Sequence, residues 1–214
     1  MGWSIKLGDI LQVNSVKQRG WIRERIIRIL LNEPNGTLTM YKVAKKAKCA
    51  FSWVHELLGK LAAMGLVERT KVRDYAGLVE YWRTVKTEPD KKEYMHKNPL
   101  ELLKRTELQY ALTTYQAESI VQHYLFPSRI DLYVRKKDEE QWHELIVGEG
   151  LVGKGNLRLL LGDEHVFYGS FERAGLRVVS LPQLIVDLFD EGSVCVEAAE
   201  KLLEKVTRDA VRAN

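Results

Sequence analysis

Between Met40 and Met64 the apolar residues fall at helical spacing in two runs, broken by three residues. Val43, Ala44 and Ala47 mark the inner face of a short helix from about Met40 to Ala47, and Lys48-Cys49-Ala50 is a turn. Val54, Leu57, Leu58 and Leu61 are the stripe of a second helix from about Phe51 to Met64, with Gly65 where a helix C-cap is expected. Helices this short are marginal alone, so they need a neighbour. Ile22, Ile26, Ile29 and Leu30 supply one at i, i+4, i+7 and i+8, on a helix from about Ser15 to Leu31 that Pro34-Asn35-Gly36 ends. After Gly65, two β-rich stretches, Leu66–Arg73 and Leu78–Thr84, are joined through Asp74-Tyr75-Ala76-Gly77 as a hairpin.

Downstream the pattern changes. Residues 86–99 are polar, carry Pro89 and Pro99 and have little to bury, which reads as a connection. The expected division is therefore a domain over 1–87, a linker over 88–99 and a domain over 100–214. In the last, Ile130, Leu132 and Val134 alternate with polar neighbours as a half-buried strand. Asn156–Leu161, Val166–Tyr168 and Leu176–Ser180 read as further strands. Helices are expected at Leu100–Arg105, Thr114–Tyr124, Glu139–Leu145, Pro182–Phe189 and Val194–Val206, the last with Cys195, Ala199, Leu202, Leu203 and Val206 on one face.

Charge divides along the same line. Residues 1–97 hold 19 Lys and Arg against 10 Asp and Glu, a net of +9, whereas residues 98–214 hold 14 against 19, a net of −5. A basic half suits a polyanion, and an acidic half does not. Of 214 residues, 45% are hydrophobic and 29% charged, which excludes wholesale disorder. No apolar run reaches the roughly 18 residues of a spanning helix. The opening Met1-Gly2-Trp3-Ser4-Ile5-Lys6 lacks the pattern of a signal peptide or a myristoylation site. Cys49 and Cys195 are too few for a disulfide framework. A soluble, cytoplasmic protein is expected.

Three features of the basic half point to DNA. Tyr41, Lys42, Lys45, Lys46 and Lys48 surround the buried side of the short helix, where cations meet phosphates. The outward face of the next helix carries Ser52, His55, Glu56, Gly59 and Lys60, with Phe51 and Trp53 at its start, and such side chains reach base edges. Arg69, Lys71 and Arg73 alternate outward along the hairpin. The segment Thr39–Arg69 resembles the winged-helix transcriptional regulators: Ala44 in the second helix, Val54 opening the third, Leu61, and Gly65-Leu66-Val67-Glu68 entering the wing. Ala50 departs from the pattern, since many relatives place a capping Ser or Thr there. The resemblance implies an N-terminal winged helix-turn-helix domain; with the alternating strands and helices downstream, the expected fold is α+β, that domain followed by a C-terminal α/β domain of mixed strands and helices.

Enzyme motifs fit the acidic half poorly. Gly148–Gly155 follows GxxxxGK but has Gly155 where a phosphate-binding loop needs Ser or Thr, and Leu157–Leu161 reads as a strand where a helix should start. A Gly-rich turn is the better account. A nucleotidyltransferase needs paired acids on a strand to hold metal ions, yet Arg129 and Tyr133 flank Asp131. A salt-bridged strand residue is expected there. The five histidines, at 55, 96, 123, 143 and 165, have no ligand spacing, so no metal or cofactor is expected.

Tyr110-Ala111-Leu112-Thr113 before an alanine-containing helix, Ile130–Val134, Gly175–Val179, Ser180–Leu188 and Glu197-Ala198-Ala199-Glu200 resemble the C-terminal domain of AbiEi-type antitoxins of type IV toxin–antitoxin systems. Asp187-Leu188 is the best-matched pair. This resemblance implies an autorepressor that binds its own promoter through the winged helix and opposes a nucleotidyltransferase toxin through the second domain. The expected function is a non-catalytic DNA-binding transcriptional regulator with a partner protein or effector, with a homodimer among its assemblies. The alternatives are a nucleotidyltransferase-type nucleic-acid-processing enzyme delivered by a winged helix, and a winged-helix adaptor between proteins.

Overall fold

Helix α1 (Leu7–Asn32) lies against α2 (Met40–Ala47), α3 (Phe51–Ala63) and α4 (Tyr75–Val85), with β1 (Val67–Glu68) and β2 (Lys71–Val72) between α3 and α4. The computed structural model describes the backbone of residues 7–212 and the side chains of residues 18–210. The opening Met1–Lys6, on which the signal-peptide and myristoylation expectations rest, lies outside this range. The bounds of α2 and α3 are those their stripes dictate: Val43, Ala44, Ala47, Val54, Leu57, Leu58 and Leu61 are all buried. Gly65 has φ +75°, a left-handed conformation that favours glycine.

The chain divides into two units, Met1–Thr87 and Glu88–Asn214. The first holds 16 Lys and Arg against 7 Asp and Glu, so the split at Thr87 keeps the net charges at +9 and −5.

Leu78–Thr84 is not a strand. It belongs to α4, because Tyr75, Leu78, Val79 and Trp82 repeat at helical spacing and are buried, and the Asp74 side chain accepts the Gly77 N–H at 2.8 Å as an N-cap. The hairpin is instead contained in Leu66–Arg73, with Val67 opposite Val72 and Glu68 opposite Lys71. Glu24 on α1, itself buried, accepts Trp82 Nε1–H at 3.0 Å and the Thr87 N–H at 2.9 Å, which ties the end of this unit to α1.

In the second unit, helices α5 (Pro99–Arg105), α6 (Thr114–Val121), α7 (Glu139–Val147), α8 (Leu181–Glu191) and α9 (Val194–Arg212) flank a seven-stranded mixed sheet. Its strands are β3 (Asp90–His96), β4 (Tyr110–Thr113), β5 (Ile130–Val134), β6 (Gly150–Val152), β7 (Leu157–Leu161), β8 (Phe171–Arg173) and β9 (Leu176–Val178), in the order β6-β3-β7-β5-β4-β9-β8. β5 runs parallel to β7 and β4 parallel to β9, while the other neighbours are antiparallel. Residues Tyr94 and Tyr110 face α7, meeting His143 and Trp142; Thr113, Asp131 and Tyr133 face α8.

Four expectations change here. The segment 88–99 is not a linker: Asp90–His96 is an inner strand paired with both β6 and β7. β5 is buried at all five positions, not half-buried, because helices cover both faces of the sheet. Val166–Tyr168 is not a strand; Val166 and Phe167 lie within a 3₁₀ turn over Glu164–Phe167, which Tyr168 ends. The Gly-rich stretch 148–155 contains β6 as well as turns.

Candidate nucleic-acid interface

The Thr39 hydroxyl accepts the Lys42 N–H at 3.2 Å and starts α2. With Val43, Ala44 and Ala47 turned inward, Tyr41, Lys42, Lys45 and Lys46 are left exposed. Lys48 ends the helix in the left-handed region, at φ +53°, and Arg25 of α1 donates to the Ala47 carbonyl at 3.2 Å. Lys46 is drawn to Glu33 at 3.1 Å. Among the described residues Lys42, Lys45 and Lys48 make no ion pair, so their charge faces solvent.

The N-cap of α3 is Ala50, which offers no side-chain oxygen to the first turn. Burial of Val54, Leu57, Leu58 and Leu61 turns Phe51, Ser52, His55, Glu56, Gly59 and Lys60 outward. Phe51 and His55 meet with ring centroids 6.2 Å apart and planes inclined by 31°. Glu56 pairs with Lys60 at 2.7 Å, and this hydrogen bond holds its carboxyl below the usual glutamate range. Trp53 lies on the opposite flank from Phe51, beside a cavity of about 260 Å³ lined by Arg23, Ile26, Trp53, Glu56, Leu57, Lys60 and Tyr81. Arg23, Arg25 and Tyr81 were not identified in the sequence, since nothing in the α1 stripe or the strand-like run around Tyr81 tells which residues border α2 and α3.

The hairpin does not present three cations in alternation. Arg69 is in the turn at φ +55°, Lys71 is half-buried on β2, and Arg73 lies past the strand, paired with Glu68. The turn is tied down. Buried Thr70 donates to the Leu38 carbonyl at 2.6 Å, beside the Thr39 cap of α2, and Val72 N–H donates to Pro34 at 2.8 Å. Exposed Arg69 is thereby held next to the α2 entry.

No family model, no curated protein and no solved structure matches this chain.

In the second unit, Asp131 is the salt-bridged strand residue expected. Its Oδ1 is 2.6 Å from Arg129 Nε and 2.9 Å from Arg158 Nε, and the Thr114 hydroxyl donates to its other oxygen. Glu191 of α8 takes the second arm of both guanidiniums, at 2.7 and 2.6 Å. Burial alone would raise the Glu191 carboxyl, but hydrogen bonds from Arg158 and Arg129 hold it below the usual range. Two acids against two cations form a charge-balanced network, a poor environment for a divalent ion. Asp187 braces α8 to the sheet by accepting from Thr113 at 2.6 Å, Gln183 at 2.9 Å and Tyr133 at 3.1 Å. Among the described residues no three His, Cys, Asp or Glu side chains converge to hold a metal ion.

Proposed function

We propose that the unit up to Thr87 is a winged helix-turn-helix module that binds double-stranded DNA. The chain is then a cytoplasmic transcriptional regulator of the autorepressing, antitoxin-like kind, without catalytic activity, whose second unit binds a toxin protein or effector. The observation carrying this reading is the pair of outward faces on α2 and α3: solvent-facing lysines on one, hydrogen-bonding and aromatic side chains on the other, in a unit of net charge +9. Lysines of α2 suit phosphates, and Ser52 and His55 suit base edges. The short hairpin, with Arg69 held at its turn, serves as an abbreviated wing that touches the backbone.

About six cations at this face would release their counterions' equivalent, so log affinity should fall against log salt with a slope of about −5. The test is a mobility-shift titration with the upstream DNA of the chain's own gene across salt concentrations. Lys42→Ala with Lys45→Ala should flatten the slope by about 2 and weaken all duplexes alike. Unchanged affinity and slope would remove the phosphate role. The partner reading has its own test: co-expression with the neighbouring gene's product, in which growth arrest relieved by this chain supports a toxin and no relief argues against one.

A further inference from the structure

We infer that Phe51 is a specificity-determining residue that reads the 5-methyl group of thymine in the major groove, an inference that rests on the DNA-binding reading above. Phe51 opens α3, yet it is 49% exposed, while every residue of the inward stripe of that helix is buried. Its place in the first turn of α3, beside Ser52 and His55, gives an otherwise polar outward face one apolar contact point. The tilted contact with His55, 6.2 Å between centroids, restricts the ring's orientation. Around it the outward surface is low: Ser52 is small, Gly59 has open space beyond its Cα, and Ala62 and Ala63 follow. Glu56 is paired with Lys60 toward the other flank. Trp53, the second aromatic of this turn, is placed by the cavity with Arg23 and Tyr81 and is separate from this face.

The N-terminal turn of a recognition helix is the part that meets base edges. Those edges carry hydrogen-bonding groups at every base, and thymine alone adds an apolar methyl. Phe51 offers a matching apolar surface, with Ser52 and His55 beside it for polar neighbours. Burying one methyl is worth about a fourfold change in affinity.

The experiment uses the full chain to enrich duplexes from a random pool, then replaces each thymine of the selected site singly by deoxyuracil, which lacks only the methyl. Affinity should fall about fourfold at one position or two. Phe51→Leu, which keeps an apolar group, should retain that loss, and Phe51→Ala should abolish it. Selected duplexes indifferent to uracil, or an equal loss in Phe51→Ala, would overturn the inference while leaving DNA binding standing. Failure to enrich or bind any duplex would overturn DNA binding and this inference with it.

Discussion

Asp187 carries more of the second unit than its exposure suggests. Three donors from three elements, Thr113 on β4, Tyr133 on β5 and Gln183 on α8, converge on one carboxylate that is 4% exposed. Removing a buried acceptor leaves its donors unsatisfied, which costs more than the bonds themselves contribute. Asp187→Ala should lower the stability of this unit by ~3 kcal/mol in urea titrations. Glu191 supplies a pH signature. Its folded pKa lies below its ordinary value because the Arg158 and Arg129 hydrogen bonds outweigh the upward effect of burial. The stability it contributes is therefore present above the ordinary glutamate value and is lost as pH falls below that value through the depressed folded one. Glu191→Gln should lower the urea midpoint at neutral pH and flatten its decline toward acid. An unaltered decline would show that Glu191 gains nothing from the two arginines. Asp131 and Asp187 were visible in the sequence as one acid beside a cation and as part of a helix, but their partners were not. Arg158 lies 27 positions from Asp131, and Thr113 lies 74 from Asp187.

Local period decided which elements could be recognised. The eight residues of α2 and the thirteen of α3 follow from stripes that repeat within a few residues, so chain-local information suffices. α4 looks like a strand locally because Leu78-Val79-Glu80-Tyr81-Trp82-Arg83-Thr84-Val85 is rich in β-branched and aromatic residues; burial of Tyr75, Leu78, Val79 and Trp82 along one face prevails over that preference. β3 looks like a connection for the opposite reason. In Asp90-Lys91-Lys92-Glu93-Tyr94-Met95-His96 only Tyr94 and His96 are buried, so its composition is that of a surface segment, although strands on both sides satisfy its backbone. Gly155 is the sharpest test of how closely this strand is held. A Cβ there would come within 2.3 Å of the Tyr94 carbonyl oxygen and 2.7 Å of the Met95 backbone, where no flexible side chain can give way. Gly155→Ala should cost ~3 kcal/mol, read as a lowered thermal midpoint, whereas Gly153→Leu or another change at an open position would not test the same contact.

At the scale of the whole molecule, the charge asymmetry and the structural division coincide at Thr87, and the whole of the segment expected to be a linker, residues 88–99, belongs to the acidic unit. That relocation makes a prediction about fragments. A fragment of residues 88–214 keeps β3 between β6 and β7 and should unfold cooperatively, with a near-ultraviolet signal from its buried tryptophan and tyrosines. A fragment of residues 98–214 lacks the strand and leaves two open edges, so it should be unstable and prone to associate. Equal stability of the two fragments would show that β3 is dispensable.

The sequence by itself determined helices α2 and α3 of the first unit, the position of their stripes and hence which of their side chains face outward. It also determined the opposed charges of the two halves. These depend on spacing within one turn or on counting, and neither requires a distant partner. Only the tertiary structure decided that Asp90–His96 is an inner strand and that the short hairpin is lashed to residues 34–38. It also decided that Arg129, Asp131, Arg158 and Glu191 form one network. Pairing of a strand and satisfaction of a buried charge are set by groups that meet only after the chain has closed long loops, and no local pattern records which of several acceptable partners will be there.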